Sequence, residues 1–360
     1  MKRIVILAPY PFEEAPSQRF RFEQYLSYFE KNNWNWKLES FWNMHSWKIL
    51  YKPGMNFQKT IGLLSGFLRR FFLLFKLSGV DVVFIHREAS PIGPPIFEWL
   101  IVKILRKKII YDFDDAIWKP NVSVTNSFVN KLKWYGKVKH ICKWATVVSC
   151  GSNYLCEYAK QFNNDVRLIP TTIDTDYHLP NKKTENKIPV IGWTGSHSTT
   201  YYLNFLIPVF KKLEQQIEFE LRIISNKDLQ LPLKSYRYIH WNKETEIADL
   251  QSFDIGIMPL PEDDWSKGKC GFKLLQYMAV GVPSIASPVG VNTDIIINNE
   301  TGWIANSENE WFEKLSYLLK NIEERKSVID KASSHIEKQY SVNAMKEKYL
   351  LMLNQVAEKN

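Results

Sequence analysis

At 360 residues, 45% of them hydrophobic, the chain is long enough for two globular domains of ordinary size, each with its own core. Its 47 Lys and Arg against 38 Asp and Glu give a formal charge of +9, which favours an acidic partner: nucleic acid, anionic lipid or a phosphorylated ligand. Cys142, Cys150, Cys156 and Cys270 make no CxxC pair and no zinc spacing, and the first residues do not read as a signal peptide, so the expected compartment is a reducing cytoplasm.

The opening MKRIVILAPYPF is an apolar run stopped by Pro9 and Pro11. It reads as the first strand of an open α/β sheet, whose carboxyl end is where function gathers. Ser17, Arg19 and Arg21 follow. They suit a grip on a phosphate or an acceptor carboxylate, and equally the basic surface start of a helix. Residues 47–77 mix aromatics and leucines with Lys48, Lys52, Lys59, Arg69, Arg70 and Lys76, too much charge for the roughly 20 apolar residues of a bilayer span. Two readings stand for this stretch. One is a basic amphipathic helix on an anionic membrane surface, anchored by Trp47, Phe67, Phe71 and Phe72; the other is a core helix whose arginines snorkel. A second strand in VDVVFIHREASPIGPP ends in His86, Arg87 and Glu88, and a third in IIYDFDDAIW ends in Asp112, Asp114 and Asp115. Three carboxylates so close are costly without a task. A helix is expected over 127–145, then a strand and a helix capped at Ser152 or Asn153.

The polar NKKTENK at 181–187 reads as the linker, giving domains at 1–180 and 188–335 and a closing helix at 336–360, capped by Ser341. The second domain opens on IPVIGWTGSHST, where Gly192, Gly195, Ser196, His197 and Ser198 stand between a strand and a helix. Such glycines let backbone N–H groups approach a phosphate, although a structural turn needs the same glycine. In KGKCGFKLLQYMAVGVPSIASPVG, Gly268 and Gly271 precede a helix that opens at Phe272. Lys269 and Lys273 flank its start, and Gln276 lies one turn after Lys273 on the same face. The pattern suits a diphosphate at the helix start, two point charges beside it and an amide on a ribose; a core helix with solvated lysines looks the same. Beyond Gly290, the backbone near Val291 and Asn292 offers further phosphate contacts. There are no internal repeats or low-complexity tracts.

The run LLQYMAVGVPSIASPVG resembles the donor-binding motif of retaining GT-B glycosyltransferases of the family-4 type, the glycosyl transferases group 1. VRLIPTTIDTDYHLP resembles their interdomain signature, with Thr171 and Thr172 in place of its Asn-Gly, and HREASPIGPP with DFDDAIW looks like a bacterial subgroup used in surface-polysaccharide assembly. The resemblance covers nearly the whole chain. It implies an α/β protein of GT-B fold: two Rossmann-like domains facing each other across a cleft, with the last helix crossing back to the first. It places a saccharide or lipid-linked acceptor on the first domain and a nucleotide sugar on the second, with retention of configuration, no metal and no cofactor. By the same resemblance Lys269 and Lys273 stabilise the leaving diphosphate. Gly195, Ser196, Gly271, Phe272, Val291 and Asn292 surround the donor, and Gln276 holds the ribose. His86, Glu88, Asp112, Asp114 and Asp115 face the sugar or acceptor, with Ser17, Arg19 and Arg21 on the acceptor or a phosphate. Two acidic positions of the family's motif are replaced, by Gln276 and by Gly268, which leaves Glu262, Asp263 and Asp264 as carboxylates for the second. The DFD triplet matches the Asp-x-Asp that holds a cation in the other glycosyltransferase fold, GT-A, but the GT-B plan assigns these aspartates to sugar or acceptor.

The expectation is therefore a hexosyltransferase in the cytoplasm, peripheral at the inner face of the plasma membrane through residues 47–77. Its rivals are an NDP-sugar epimerase of the same fold and a non-catalytic nucleotide-sugar-binding partner protein. Nucleic acid is set aside, because the basic residues are scattered and form no recognition motif.

Overall fold

A computed structural model describes residues 1–120, 132–180 and 186–359. Most of the expected linker, residues 181–185, and the start of the expected helix over 127–145 lie outside the described residues. The chain divides into two compact units, Met1–Thr171 together with Met345–Asn360, and Thr172–Ala344.

In the first unit β1 (Lys2–Ala8), β2 (Trp34–Ser40), β3 (Val82–His86), β4 (Lys108–Phe113), β5 (Val147–Cys150) and β6 (Val166–Leu168) form a parallel sheet in the order β2-β1-β3-β4-β5-β6. The central strands are near-continuous apolar runs, buried on both faces, as parallel strands covered by helices must be. Strand order reverses between β1 and β3, where Ile4 pairs with Val82 and Leu7 with Ile85. At such a reversal the loops after two neighbouring strands part and leave a crevice. The register sets His86 beside Asp112, and Asp112 beside Ser149.

The second unit repeats the plan with β7 (Val190–Thr194), β8 (Glu220–Ser225), β9 (Tyr236–His240), β10 (Ile255–Met258), β11 (Ser284–Ala286) and β12 (Trp303–Ile304) in the parallel order β12-β11-β10-β7-β8-β9. This is the doubly wound arrangement, with its reversal between β7 and β10. Its core gathers Trp193, Phe210, Leu221, Ile257 and Trp311. The last helix, Val342–Glu358, starts on a Ser341 cap that accepts from the Ala344 N–H at 3.0 Å. From Met345 onward it belongs to the first unit, where the Tyr349 ring lies 4.8 Å from Tyr25 and 5.5 Å from Phe29.

Candidate functional site

The register of β3, β4 and β5 decides where the charges of the first unit go. His86, Asp112 and Ser149 stand in line on neighbouring strands, all buried, and Arg21 reaches them from the chain after β1. Arg21 pairs with Asp112, donates to the Ile169 carbonyl, and lies 3.3 Å from Ser149 Oγ. Ser149 Oγ donates to Asp112 Oδ1 at 2.8 Å, and His86 Nδ1 sits 2.8 Å from Asp112 Oδ2. Burial alone would raise the Asp112 carboxyl, but Arg21 and His86 outweigh it and hold it well below the usual carboxylate range. Arg21, His86 and Asp112 are each at most 1% exposed. They close on one another inside the unit. Arg19 does not join Arg21: it is half-buried, with its guanidinium 4.9 Å from the Phe20 ring, on the short helix Pro16–Arg19 that also carries the half-buried Ser17. Residues two apart on a helical turn point to different sides.

The remaining strand-end carboxylates are also neutralised locally. Arg87 takes a left-handed backbone, φ 61°, and donates to Asp114 Oδ1 at 2.8 Å and Asp115 Oδ2 at 2.6 Å. Burial would lower its pKa, but the two aspartates outweigh burial and hold the guanidinium above its ordinary value. Glu88 pairs with Lys137 at 2.7 Å. Glu88, Asp114 and Asp115 keep side-chain exposures of 14%, 12% and 15%, so they border solvent where Asp112 does not. Among the described residues no group of three or more His, Cys, Asp or Glu is arranged to hold a metal.

In the second unit the polar groups converge at the reversal between β7 and β10. The helix Phe272–Ala279 starts at Gly271, φ 67°. A Cβ there would lie 2.1 Å from Ile295 Cδ1 and 3.0 Å from Val291 Cγ2, so the backbone conformation and the space both require glycine. That contact seats the helix start against the turn at Val291. Lys273, in the first turn, holds its Nζ 5.2 Å from the Trp193 ring centroid, and Lys269 holds its own 5.0 Å from Trp265. Both lysines are half-buried. The indole face attracts an ammonium. A Cβ on Gly195 would lie 2.5 Å from Trp193 Cη2; Trp193 is thus the plate on which the Gly195 loop and Lys273 meet. Tyr277, lying over Gly256, accepts from the Thr194 N–H at 3.0 Å and fixes the end of β7.

Two of the expected phosphate donors are already engaged. The Gly195 N–H donates to Ile224 O at 3.1 Å and the Asn292 N–H to Val289 O at 3.3 Å. Asn292 is buried, its Nδ2 on Ser287 O at 3.0 Å, so it shapes the turn and does not offer its own N–H. Ser196 is exposed, and Phe272 and Val291 are half-buried. Gln276 is buried, and its Nε2 donates to Glu246 Oε1 at 3.1 Å, an atom that also accepts from Trp241 Nε1 at 3.3 Å. The amide expected to hold a ribose is paired with a carboxylate from the helix Glu246–Gln251. Gly268 is buried and donates to Trp265 O at 3.1 Å. Upstream, Asp263 caps the Ser266 N–H at 2.7 Å and the exposed Glu262 pairs with Lys267 at 3.4 Å. Trp193, Tyr277 and Glu246 escaped sequence reasoning. The one available signal was that a buried Gln on a helix needs a partner.

Comparison with known proteins gives the same picture for the second unit. Residues 188–321 match the family described as "Glycosyl transferases group 1". A trehalose synthase of Pyrococcus horikoshii is 34% identical over 84 residues, 23% of this chain, and the aligned segment spans 20% of that curated relative's length. Among solved structures, sucrose-phosphate synthase of Thermosynechococcus elongatus superposes with a TM-score of 0.75 at 13% identity, covering 99% of both chains. A glycosyltransferase of Rickettsia africae gives 0.70 at 14%, covering all of both. HepE of Anabaena, solved in complex with UDP-glucose, gives 0.66 at 11%, covering 99% of this chain and 100% of its own. At these identities the structural likeness speaks for the fold. The chain accordingly has the GT-B fold, and its residues 188–321 match the family of glycosyl transferases group 1.

Proposed function

We propose that the protein is a glycosyltransferase that binds a nucleotide sugar through its second unit and passes the sugar to a saccharide or lipid-linked acceptor in surface-polysaccharide assembly. The observation that carries this reading is the convergence on Trp193 of Lys273, the Gly195 loop and the end of β7, inside the segment of family likeness. Lys273 and Lys269 supply point charges for the diphosphate, and the Glu246–Gln276 pair accepts and donates to the ribose hydroxyls. HepE, of the same fold, is solved with UDP-glucose, which supports a nucleotide sugar as the ligand class.

The reaction proceeds with retention and without a metal. The acceptor hydroxyl attacks the anomeric carbon, the bond from that carbon to the diphosphate oxygen breaks, and the departing diphosphate takes the acceptor's proton. The protein then has little covalent chemistry of its own. It positions the partners and neutralises the charge that grows on the leaving group. With a lipid-linked acceptor the reaction belongs at the inner face of the plasma membrane; among the described residues no helix is long and apolar enough to cross one.

The closed ion pairs of the first unit favour a second reading, a protein that binds a nucleotide sugar without transferring it. A screen of nucleotide sugars with EDTA present, scored for binding and for slow donor hydrolysis, separates the two. Binding with EDTA-resistant hydrolysis of one donor supports the transferase, binding without turnover supports the second reading, and no binding overturns both.

A further inference from the structure

The helix Asn56–Leu74 is amphipathic with its faces reversed. Its buried positions are Gly62, Gly66, Arg70 and Leu73, which fall on one helical face. A Cβ on Gly62 would lie 2.5 Å from Ser46 Oγ, and one on Gly66 2.5 Å from the Phe41 ring, so the helix backbone itself lies against the unit. Arg70 then donates to the carbonyls of Ala89 at 2.8 Å, Glu39 at 2.8 Å and Ala8 at 3.0 Å, and Arg69 donates to Phe41 O. Burial pulls the Arg70 pKa down to about 10, which still leaves a cation pinning the helix to the ends of β1 and β2. These two arginines are thus anchors to the protein and not surface charges. Phe67 packs between Phe41 and Phe97, at 5.4 and 5.9 Å, and Trp47 lies 4.6 Å from Tyr10. Of the four aromatic membrane anchors expected from sequence, those two face inward.

The outward face is apolar. Phe57, Ile61, Leu64, Leu68, Phe72 and Phe75 follow one another at helical steps of three and four and are 50–78% exposed. A surface helix on a water-facing domain puts such a stripe on the core; a long exposed one marks an interaction site. The charge around it says of what kind. No Asp or Glu occurs between positions 41 and 80, while Lys48, Lys52 and Lys76 are exposed. The Phe67–Phe97 contact places the helix Ile96–Trp99 alongside. Its Ile96 and Trp99 are also exposed, the exposed Lys103 and Arg106 follow, and its one acid, Glu98, is buried and accepts from the Ala89 N–H.

We infer that this face docks on an anionic phospholipid bilayer, with the stripe seated at the headgroup–acyl boundary and the surrounding ammonium groups on lipid phosphates. A second copy of the chain is a poorer occupant, since a self-complementary interface would set these cations against one another. The inference goes beyond the transfer reading and stands without it.

The test is flotation of the full chain with vesicles of phosphatidylcholine alone or of phosphatidylcholine with phosphatidylglycerol. The chain is expected to float with the anionic vesicles and to be released by salt. The Leu64→Glu/Phe72→Glu double variant, altered only at exposed positions, is expected to weaken that binding by about tenfold or more, with its thermal unfolding and nucleotide-sugar binding unchanged. Wild-type chain that stays unbound on anionic vesicles overturns the inference. So does a concentration-dependent dimer that the same double variant dissociates without any vesicle uptake, which would give the face to a second copy. Neither outcome touches donor binding, so the transfer reading fails or stands separately.

Discussion

At the ends of β3 and β4 in the first unit stand His86, Glu88, Asp112, Asp114 and Asp115, and each carboxylate meets a cation of the same unit: Arg21, Arg87 or Lys137. Around the ends of β7 and β10 in the second unit, Lys269 and Lys273 rest half-exposed on indole faces beside a helix start. The same position in the same kind of sheet carries two different arrangements of charge. In a closed pair each buried charge has its opposite beside it, so removing either partner leaves an uncompensated charge. Cations on aromatic faces are held by the ring quadrupole while staying half-exposed.

Asp112→Asn tests the closed side most severely. Arg21 would keep its charge at full burial with no counter-ion, and the expected loss of unfolding free energy in urea titration is about 3–5 kcal/mol. The pH dependence has a definite sign. A carboxyl held low in the folded state contributes stability that is fully present above the unfolded value of about 3.9 and is lost as pH falls through the folded value, so the variant should show a shallower acid limb than the wild type. A variant that unfolds like the wild type while losing turnover would return Asp112 to the chemistry and break the comparison.

Lys273→Ala tests the open side. If its ammonium meets the diphosphate, kcat/KM should fall by about 2–4 kcal/mol in transition-state terms, while stability moves by no more than about 0.5 kcal/mol, as for other partly exposed positions. Loss of stability with unchanged turnover would make Lys273 a packing residue. Glu246→Gln sharpens the same side. The pair with Gln276 predicts a loss of about 1.5–3 kcal/mol in nucleotide binding by calorimetry, the range for a hydrogen bond to a charged group. Unchanged affinity would confine Glu246 to holding Gln276 and Trp241 in place.

The fold was largely legible because its signals are local. Apolar runs such as RIVILA and VVFIH ended in Pro or charge, and the Phe272 helix announced itself by Gly271 before and Gly281 after. Ser341 and Ser152 cap helices where expected, through bonds to Ala344 and Leu155. The site was half legible for the converse reason. DFDD showed three carboxylates but not Arg21, which comes from 91 positions earlier, nor Arg87, from 27 and 28 earlier. Whether a charge is closed or open depends on such distant partners. Gln276 could be seen, and Glu246, 30 positions away, could not. The helix Asn56–Leu74 was recognised as amphipathic, yet which face is buried depends on Gly62 and Gly66 meeting Ser46 and Phe41, a contact that no periodicity encodes.

Glu23 offers the smallest and finest test, because neutral N–H groups hold this buried carboxylate of the first unit. Its Oε2 accepts from the Glu13 N–H at 2.9 Å and its Oε1 from Gln18 Nε2 at 3.0 Å, and Gln18 in turn grips both ends of the Tyr10 peptide unit after β1. Burial outweighs those two donors and pushes the Glu23 carboxyl up to about 7. With the folded value raised, the folded state holds the proton more tightly. The stability this contributes is complete below the unfolded value of about 4.3 and is lost as pH rises through about 7. Glu23→Gln removes that loss, so the difference in unfolding free energy, variant minus wild type, should grow by about 2–3 kcal/mol between about pH 5 and about pH 8. A difference that stays flat across that range would mean that Glu23 is ionised throughout and has a counter-ion as Asp112 does.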